Sequence, residues 1–167
     1  MDWLISFVDY NYAEHRELWA HLNQLDDETF VKNIGYSLGS IQREVVHMIR
    51  ADTLWLHRSM QQPPPELLPD DTSDRARIRA TWDALEEQVK AYVQTLTQAD
   101  FYQSVTYINH DGIEVTQTRG SLILHLVNHG TVHRAEMCAM MHMLGHTIDF
   151  DVSYRRFMVE KSVIGNK

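Results

Sequence analysis

Apolar residues recur at alternating steps of four and three along four stretches of this chain, the spacing of a helix that buries one face. Over residues 3–23 the stripe is Leu4, Val8, Asn11, His15, Leu18 and Leu22, apolar at both ends and polar in the middle. A second helix is predicted at about 38–60, capped by Ser37 or Ser40, with Leu38, Ile41, Val45, Met48, Asp52 and Trp55 on one face. A third runs from about Ser73 to Leu96, and its stripe of Ile78, Trp82, Leu85, Val89, Tyr92 and Leu96 is apolar throughout. The fourth, about 120–144, carries Leu122, Leu126, His129, His133, Glu136, Met140 and Met143 and stops near Gly145, a natural residue for a left-handed C-terminal turn.

The segments between these helices set the topology. Two runs rich in β-formers, Ser104–Asn109 and Ile113–Thr118, flank His110-Asp111-Gly112 and predict a hairpin. Glu28-Thr29-Phe30 predicts a short turn of helix, and 152–162 a terminal one. Residues 61–72 contain all four prolines and so cannot be helical throughout. Twelve extended residues at about 3.1 Å each reach roughly 37 Å, while a helix of about 23 residues is roughly 34 Å long. This connector can run back along the whole bundle, so helices two and three point the same way. The expected architecture is all-α: a single domain over 1–167, an up-down-down-up four-helix bundle with a small β-hairpin between helices three and four.

A chain of 167 residues suits one domain with one core. Its net charge of −8 argues against general nucleic-acid or anionic-membrane binding, and no apolar run approaches the ~20 residues of a membrane span. The single cysteine, Cys138, excludes an internal disulfide framework and suits a reducing compartment, where it is expected as a buried, inert thiol. The opening Met1-Asp2-Trp3-Leu4 does not resemble a signal peptide, so a cytoplasmic location is expected. Eight methionines and four tryptophans predict exposed apolar surface, and with it a homodimer.

The chemistry lies where the stripes turn polar. His129 and His133 stand at i and i+4, on one helix face about a turn apart, where two imidazoles can share one metal ion. Gly130 occupies the place of the glutamate in His-Glu-x-x-His, which rules out a metalloprotease of that type. Buried polar groups left unpaired cost a few kcal/mol each. Asn11, His15, His129, His133 and Glu136 fall at similar heights, so a shared polar pocket is expected. Asn11, His15 and Glu136 are candidates to orient ligands or carry protons, and Glu136 has no evident charge partner. Local pattern does not choose the third ligand among His47, His15 and His125. His21, His57, His110, His142 and His146 read as surface residues.

A longer pattern does choose. His47 in mid-helix two, then Ala51-Asp52-Thr53-Leu54-Trp55-Leu56, then a glycine-bearing hairpin, then Leu124-His125-Leu126-Val127-Asn128-His129-Gly130-Thr131-Val132-His133-Arg134, together with Tyr10-Asn11, resembles the DinB/YfiT superfamily over nearly the whole chain. The resemblance implies an up-down-down-up bundle and a divalent ion, zinc or nickel, held by His47, His129 and His133. The motif departs from the commoner His-Arg-Gly-Gln in reading His133-Arg134-Ala135-Glu136, and Val132 replaces a frequent further histidine. Three neutral imidazoles with one open position are the catalytic arrangement of such an ion, able to activate water or a thiolate. Some relatives use low-molecular-weight thiols, so the resemblance implies a metal-dependent S-transferase acting on small electrophiles, or a related hydrolase or isomerase. The alternative is a non-catalytic, stress-associated bundle in which the ion is structural.

Overall fold

Each long helix after the first begins where a short polar side chain satisfies an amide that has no partner within the helix. In the computed structural model, which describes residues 2–148 and 152–164, the elements are α1 (Asp2–Leu22), α2 (Asp27–Val31), α3 (Ile41–Met60), α4 (Arg75–Thr95), α5 (Gln98–Phe101), β1 (Ser104–Ile108), β2 (Glu114–Thr118), α6 (Arg119–Met143) and α7 (Tyr154–Ile164). Ser40, not Ser37, caps α3 by accepting from the Arg43 amide. Asp74 accepts from Ala76 and Arg77 at the start of α4, and Thr118 from Ser121 at the start of α6. The helix α5 was not visible in the hydrophobic pattern, being only one turn built on a Thr97–Asp100 capping box.

Cross-helix contacts give the direction of each helix. Asp9 meets Lys90 while Arg16 meets Glu86, so α1 and α4 are antiparallel. Gln42 sits by Thr72 at one end of α3 and Ser59 by Tyr92 at the other, so α3 and α4 are parallel. Glu44 meets His133 and Ser59 meets Arg119, so α3 and α6 are antiparallel. The result is up-down-down-up for α1, α3, α4 and α6, as the connector length predicts.

That connector lies along α3 in the expected direction. His57 donates to the Pro63 carbonyl, Arg50 to the Leu68 carbonyl and to Asp70, and Gln42 to the carbonyls of Asp70 and Thr72. These contacts follow α3 from its last turn to its first. The hairpin pairs β1 antiparallel to β2 with Ser104 opposite Thr118 and Tyr107 opposite Val115, and Gly112 takes the left-handed conformation at its turn (φ +76°).

The stripes of α1 and α4 are buried almost as predicted, with Leu4, Leu18, Leu22, Ile78 and Trp82 inaccessible to solvent or nearly so. Two predicted stripe positions are exposed. Leu38 precedes α3, and Met143, in the last turn of α6, is 55% exposed. Its place is taken by Met137 and Met141, because α6 packs on both α1 and α3 and therefore buries two stripes. Among the described residues no helix is long and apolar enough to cross a membrane.

Candidate metal centre

The antiparallel packing of α3 on α6 sets His47 opposite the His129–His133 turn. His129 Nε2 lies 3.2 Å from His47 Nε2 and 3.1 Å from His133 Nε2. A ring nitrogen has a single in-plane site, holding either a proton or a lone pair, so it cannot make both contacts as hydrogen bonds. Three lone pairs directed at one cation remove the conflict. Ligand nitrogens about 2.0–2.1 Å from a tetrahedral ion stand ~3.3 Å apart, close to both spacings. The three residues thus fit a single divalent ion, and all their ligand atoms lie within 4.8 Å of one another.

The carboxylates around His133 fix its proton. Its Nδ1 donates to Glu44 Oε2 at 2.8 Å and lies 2.7 Å from Glu136 Oε2. Glu44 is fully buried, and its other oxygen accepts from the Leu38 amide at 2.9 Å. Burial alone would raise the Glu44 carboxyl, but the hydrogen bonds from His133, Ser37 and Leu38 outweigh it and hold the group below its ordinary range. Burial would likewise lower His133, yet Glu44 and Glu136 carry it above the usual imidazole value. With Nδ1–H engaged, the lone pair of His133 is on Nε2, facing its neighbours; such a carboxylate behind a ligand histidine both orients it and makes it more basic. His47 is lowered by burial and by His133, and His129 is pushed down to about 3 by burial and by His133, His47 and His125. Glu136 therefore does have a charge partner, contrary to the expectation from sequence: His133, one turn before it.

The expected single pocket is in fact two polar sites on different faces of α6. Asn11 and His15 do not turn toward the triad. They bind Arg134, whose Nη1 donates to Asn11 Oδ1 at 2.5 Å and to His15 Nε2 at 2.8 Å, while Nη2 reaches Thr131 Oγ1 at 2.9 Å. Arg134 is only 1% exposed. His15 is held well below its ordinary value by burial and then by Arg134, and as a neutral acceptor it carries its proton on Nδ1. Gly130 makes this approach of α1 possible, since a Cβ there would stand 2.4 Å from Asn11 Oδ1. Arg134 and Glu44 are the two residues that the sequence reading did not select. The signal for Arg134 was its position on a second stripe with Val127 and Gly130; the signal for Glu44 was its spacing of three from His47.

A third buried polar pair, Tyr12 and Asp52, joins α1 to α3 across the core, the hydroxyl donating to Asp52 Oδ2 at 3.2 Å. Burial raises the Asp52 carboxyl to about 7, against the smaller opposing effect of Tyr12. The native state then binds more protons than the unfolded chain between about pH 4 and 7, so stability falls as pH rises through that window. Asp52→Asn keeps the neutral shape and removes this loss. In chemical denaturation the variant is expected to gain about 2–3 kcal/mol on wild type between about pH 5 and 8; a difference that does not change with pH would refute the assignment.

Of the triad, His47 lines a depression of about 270 Å³ together with Leu38, Arg43 and Asp70. On its other flank the His125 ring packs on Trp55, and Trp55 on Tyr107 of β1, so the hairpin does reach the rim. Cys138 is half-buried on α6, and burial raises its thiol.

Residues 2–159 match the DinB family. The chain belongs to that family. It is 22% identical over 151 residues to Protein DinB of Bacillus subtilis (strain 168), covering 87% of this chain and 88% of the relative. Among solved structures it resembles a DinB-like protein from Bacillus cereus (TM-score 0.67, 18% identity, 87% of this chain and 95% of that one). It also resembles YfiT from Bacillus subtilis, a probable metal-dependent hydrolase with an unusual four-helix bundle topology (TM-score 0.59, 19% identity, 87% and 88% covered). At these identities the structural likeness establishes the bundle, and this DinB-family chain supplies its own histidine triad.

Proposed function

We propose that this DinB-family protein is a metal-dependent enzyme in which His47, His129 and His133 hold one divalent ion, zinc or nickel, with a position left for a nucleophile. The observation that carries the reading is the convergence of three Nε2 atoms, two contacts of which compete for one site on His129. Bound there, such an ion lowers the pKa of a water or thiol and polarises an electrophile. The chain's own part is to aim three ring lone pairs at one point. Burial keeps His129 and His47 neutral, while Glu44 and Glu136 orient His133 by holding its Nδ1 proton and leave its Nε2 proton for the ion to displace. No thiol of the chain joins the cluster among the described residues. The nucleophile therefore comes from outside, and a low-molecular-weight thiol attacking a small electrophile, an S-transferase reaction, is the leading reading. Hydrolysis is the second, favoured by the likeness to YfiT.

Metal-loaded protein is assayed with an electrophilic probe, with and without a panel of small thiols, then after chelation and after re-addition of metal. Turnover that requires a thiol, disappears with chelator and returns with metal supports transfer; turnover without thiol supports hydrolysis. A metal that changes only thermal stability would leave the ion structural and overturn both. Proton competition gives a second expectation. His129 titrates at about 3 and His47 below its usual value, so His133, raised above the ordinary imidazole range, is the one that must lose a proton for the ion to bind. Affinity should fall about tenfold per pH unit once pH drops below the raised His133 value, a decline that begins above ~6.5. A pH-independent affinity between about 5 and 8 would refute the ligand set.

We further propose that the protein is a homodimer. Trp3, Tyr102, Ile108 and Ile113 are exposed by 56%, 70%, 57% and 58%, an apolar surface that pairing would cover. A monomeric mass by light scattering at micromolar concentration would exclude it.

A further inference from the structure

Among the described residues Arg58 meets aromatic rings and no acid. Its guanidinium carbon lies 4.6 Å from the centre of the Trp55 ring and 4.7 Å from that of Tyr107 on β1. Arg50, Arg75, Arg79 and Arg119 each reach a carboxylate. Among the described residues no carboxylate or carbonyl accepts from the Arg58 side chain, although the chain carries 23 acidic residues. The two rings meet edge to face at 83° with centroids 5.7 Å apart, so the guanidinium sits in the corner between them, held by aromatic contacts that engage its charge and use none of its N–H donors as hydrogen bonds to an acid. Arg58 lines a cavity of about 460 Å³ between the last turns of α3, the start of the connector and β1. Its wall also includes Gln61, Gln62 and Thr106, and Gln61 is fixed there by its left-handed conformation at the end of α3 (φ +56°). The volume is that of a small-molecule site, and a rigid fork of donors is the arrangement that recognises a carboxylate or phosphate.

We propose that this cavity binds the oxyanion end, carboxylate or phosphate, of a small organic molecule, with Arg58 as the anchor and the Gln61 and Gln62 amides beside it. The site is placed to serve the triad. Leu54 and Arg58 continue the face of α3 that carries His47, and the step from His47 to Arg58 covers roughly 16 Å at 1.5 Å per residue. Between them runs a wall of rings: Trp55 stands 4.3 Å from His125, and His125 stands 5.8 Å from His129. An extended molecule anchored at Arg58 lays its other end toward His129. Its role as substrate anchor rests on the function proposed above; the binding of the anion does not, because it needs no metal.

Chelator-treated protein is titrated calorimetrically at low ionic strength with glutarate and, separately, with glycerol 3-phosphate. Saturable binding of at least one is expected, and which of them binds tells carboxylate from phosphate. Arg58→Gln should weaken it fivefold or more, and Arg77→Gln, which removes an exposed cation of α4 outside the cavity, should leave it within twofold. Should Arg58→Gln fail to fold, Tyr107→Leu replaces it: the charge remains but one of the two rings that hold it is lost, and a weakening of threefold or more is expected. No saturation by either anion, a smaller effect of the variant used, or an equal loss in Arg77→Gln overturns the site. Failure of the transferase or hydrolase assay alone leaves these titrations untouched, so the two proposals fail separately.

Discussion

Purified without a metal-affinity tag, the His133→Ala protein is expected to carry no stoichiometric divalent metal, where the wild type carries one ion per chain. Three ligands share on the order of 10 kcal/mol of binding free energy, so loss of one costs roughly 3 kcal/mol or more, at least about a hundredfold in affinity. The same variant removes the donor that Glu44 Oε2 uses, leaving that buried carboxylate with Ser37 and the Leu38 amide and no cationic partner. A charge stripped of a buried partner is strongly destabilising, so His133→Ala should melt well below the metal-free wild type. His47→Ala separates the two effects. His47 has no carboxylate on its far nitrogen among the described contacts, and this variant should lose the metal while melting close to metal-free wild type. Full metal occupancy of purified His133→Ala would refute the centre.

Gly130→Ala is expected to lower the melting temperature by about 10 °C or more, although alanine in a helix interior normally adds about 1 kcal/mol over glycine. The added carbon would sit 2.4 Å from Asn11 Oδ1 and 3.1 Å from both Arg134 Nη1 and His15 Nε2. None of these is a free side-chain end. Asn11 and His15 are fully or almost fully buried, and both are tied to Arg134. Overpacking costs about 1–3 kcal/mol and each buried hydrogen bond left unmade about 1–3 more, so the helix-propensity gain is outweighed. For a chain of this size each kcal/mol is worth about 2–4 °C. A melting temperature within about 2 °C of wild type would mean that α1 can step back freely, and the close approach would then have no structural weight.

The long helices, the hairpin and the parallel pair of α3 and α4 were legible because periodicity, Asp111-Gly112 and the reach of the connector are local quantities. The histidine pair was legible for the same reason: i and i+4 fix a shared face whatever surrounds the helix. His47 was not, since its immediate neighbours on α3 are charged and place it at the edge of the core. Only the longer resemblance selected it. A single seam accounts for only part of the buried surface of α6. A helix packed against two others buries Gly130 and Arg134 on one side as well as Leu122 and Leu126 on the other, and a charged residue on the second stripe looks like a solvated face. Asn11 and His15 were correctly read as buried polar groups needing a partner. Their partner was an arginine, and nothing local to α1 shows which way they turn.

The order in which helices neighbour one another also bears on how the chain acquires its structure during synthesis. α1 packs on α4 and α6, and its hydrogen bond to α3 spans the centre of the core rather than an adjacent face. A nascent chain that has emerged only through α3 thus lacks both side-by-side partners of its first helix. The Asn11–Arg134 bond closes a loop across 123 residues, so the N-terminal half keeps polar groups in search of an acceptor or donor until the last long helix arrives. Contacts so distant in sequence form late and slow the closing step. Fragments ending before α6 should therefore be recovered as substrates of proteases and chaperones, not as a stable half-domain.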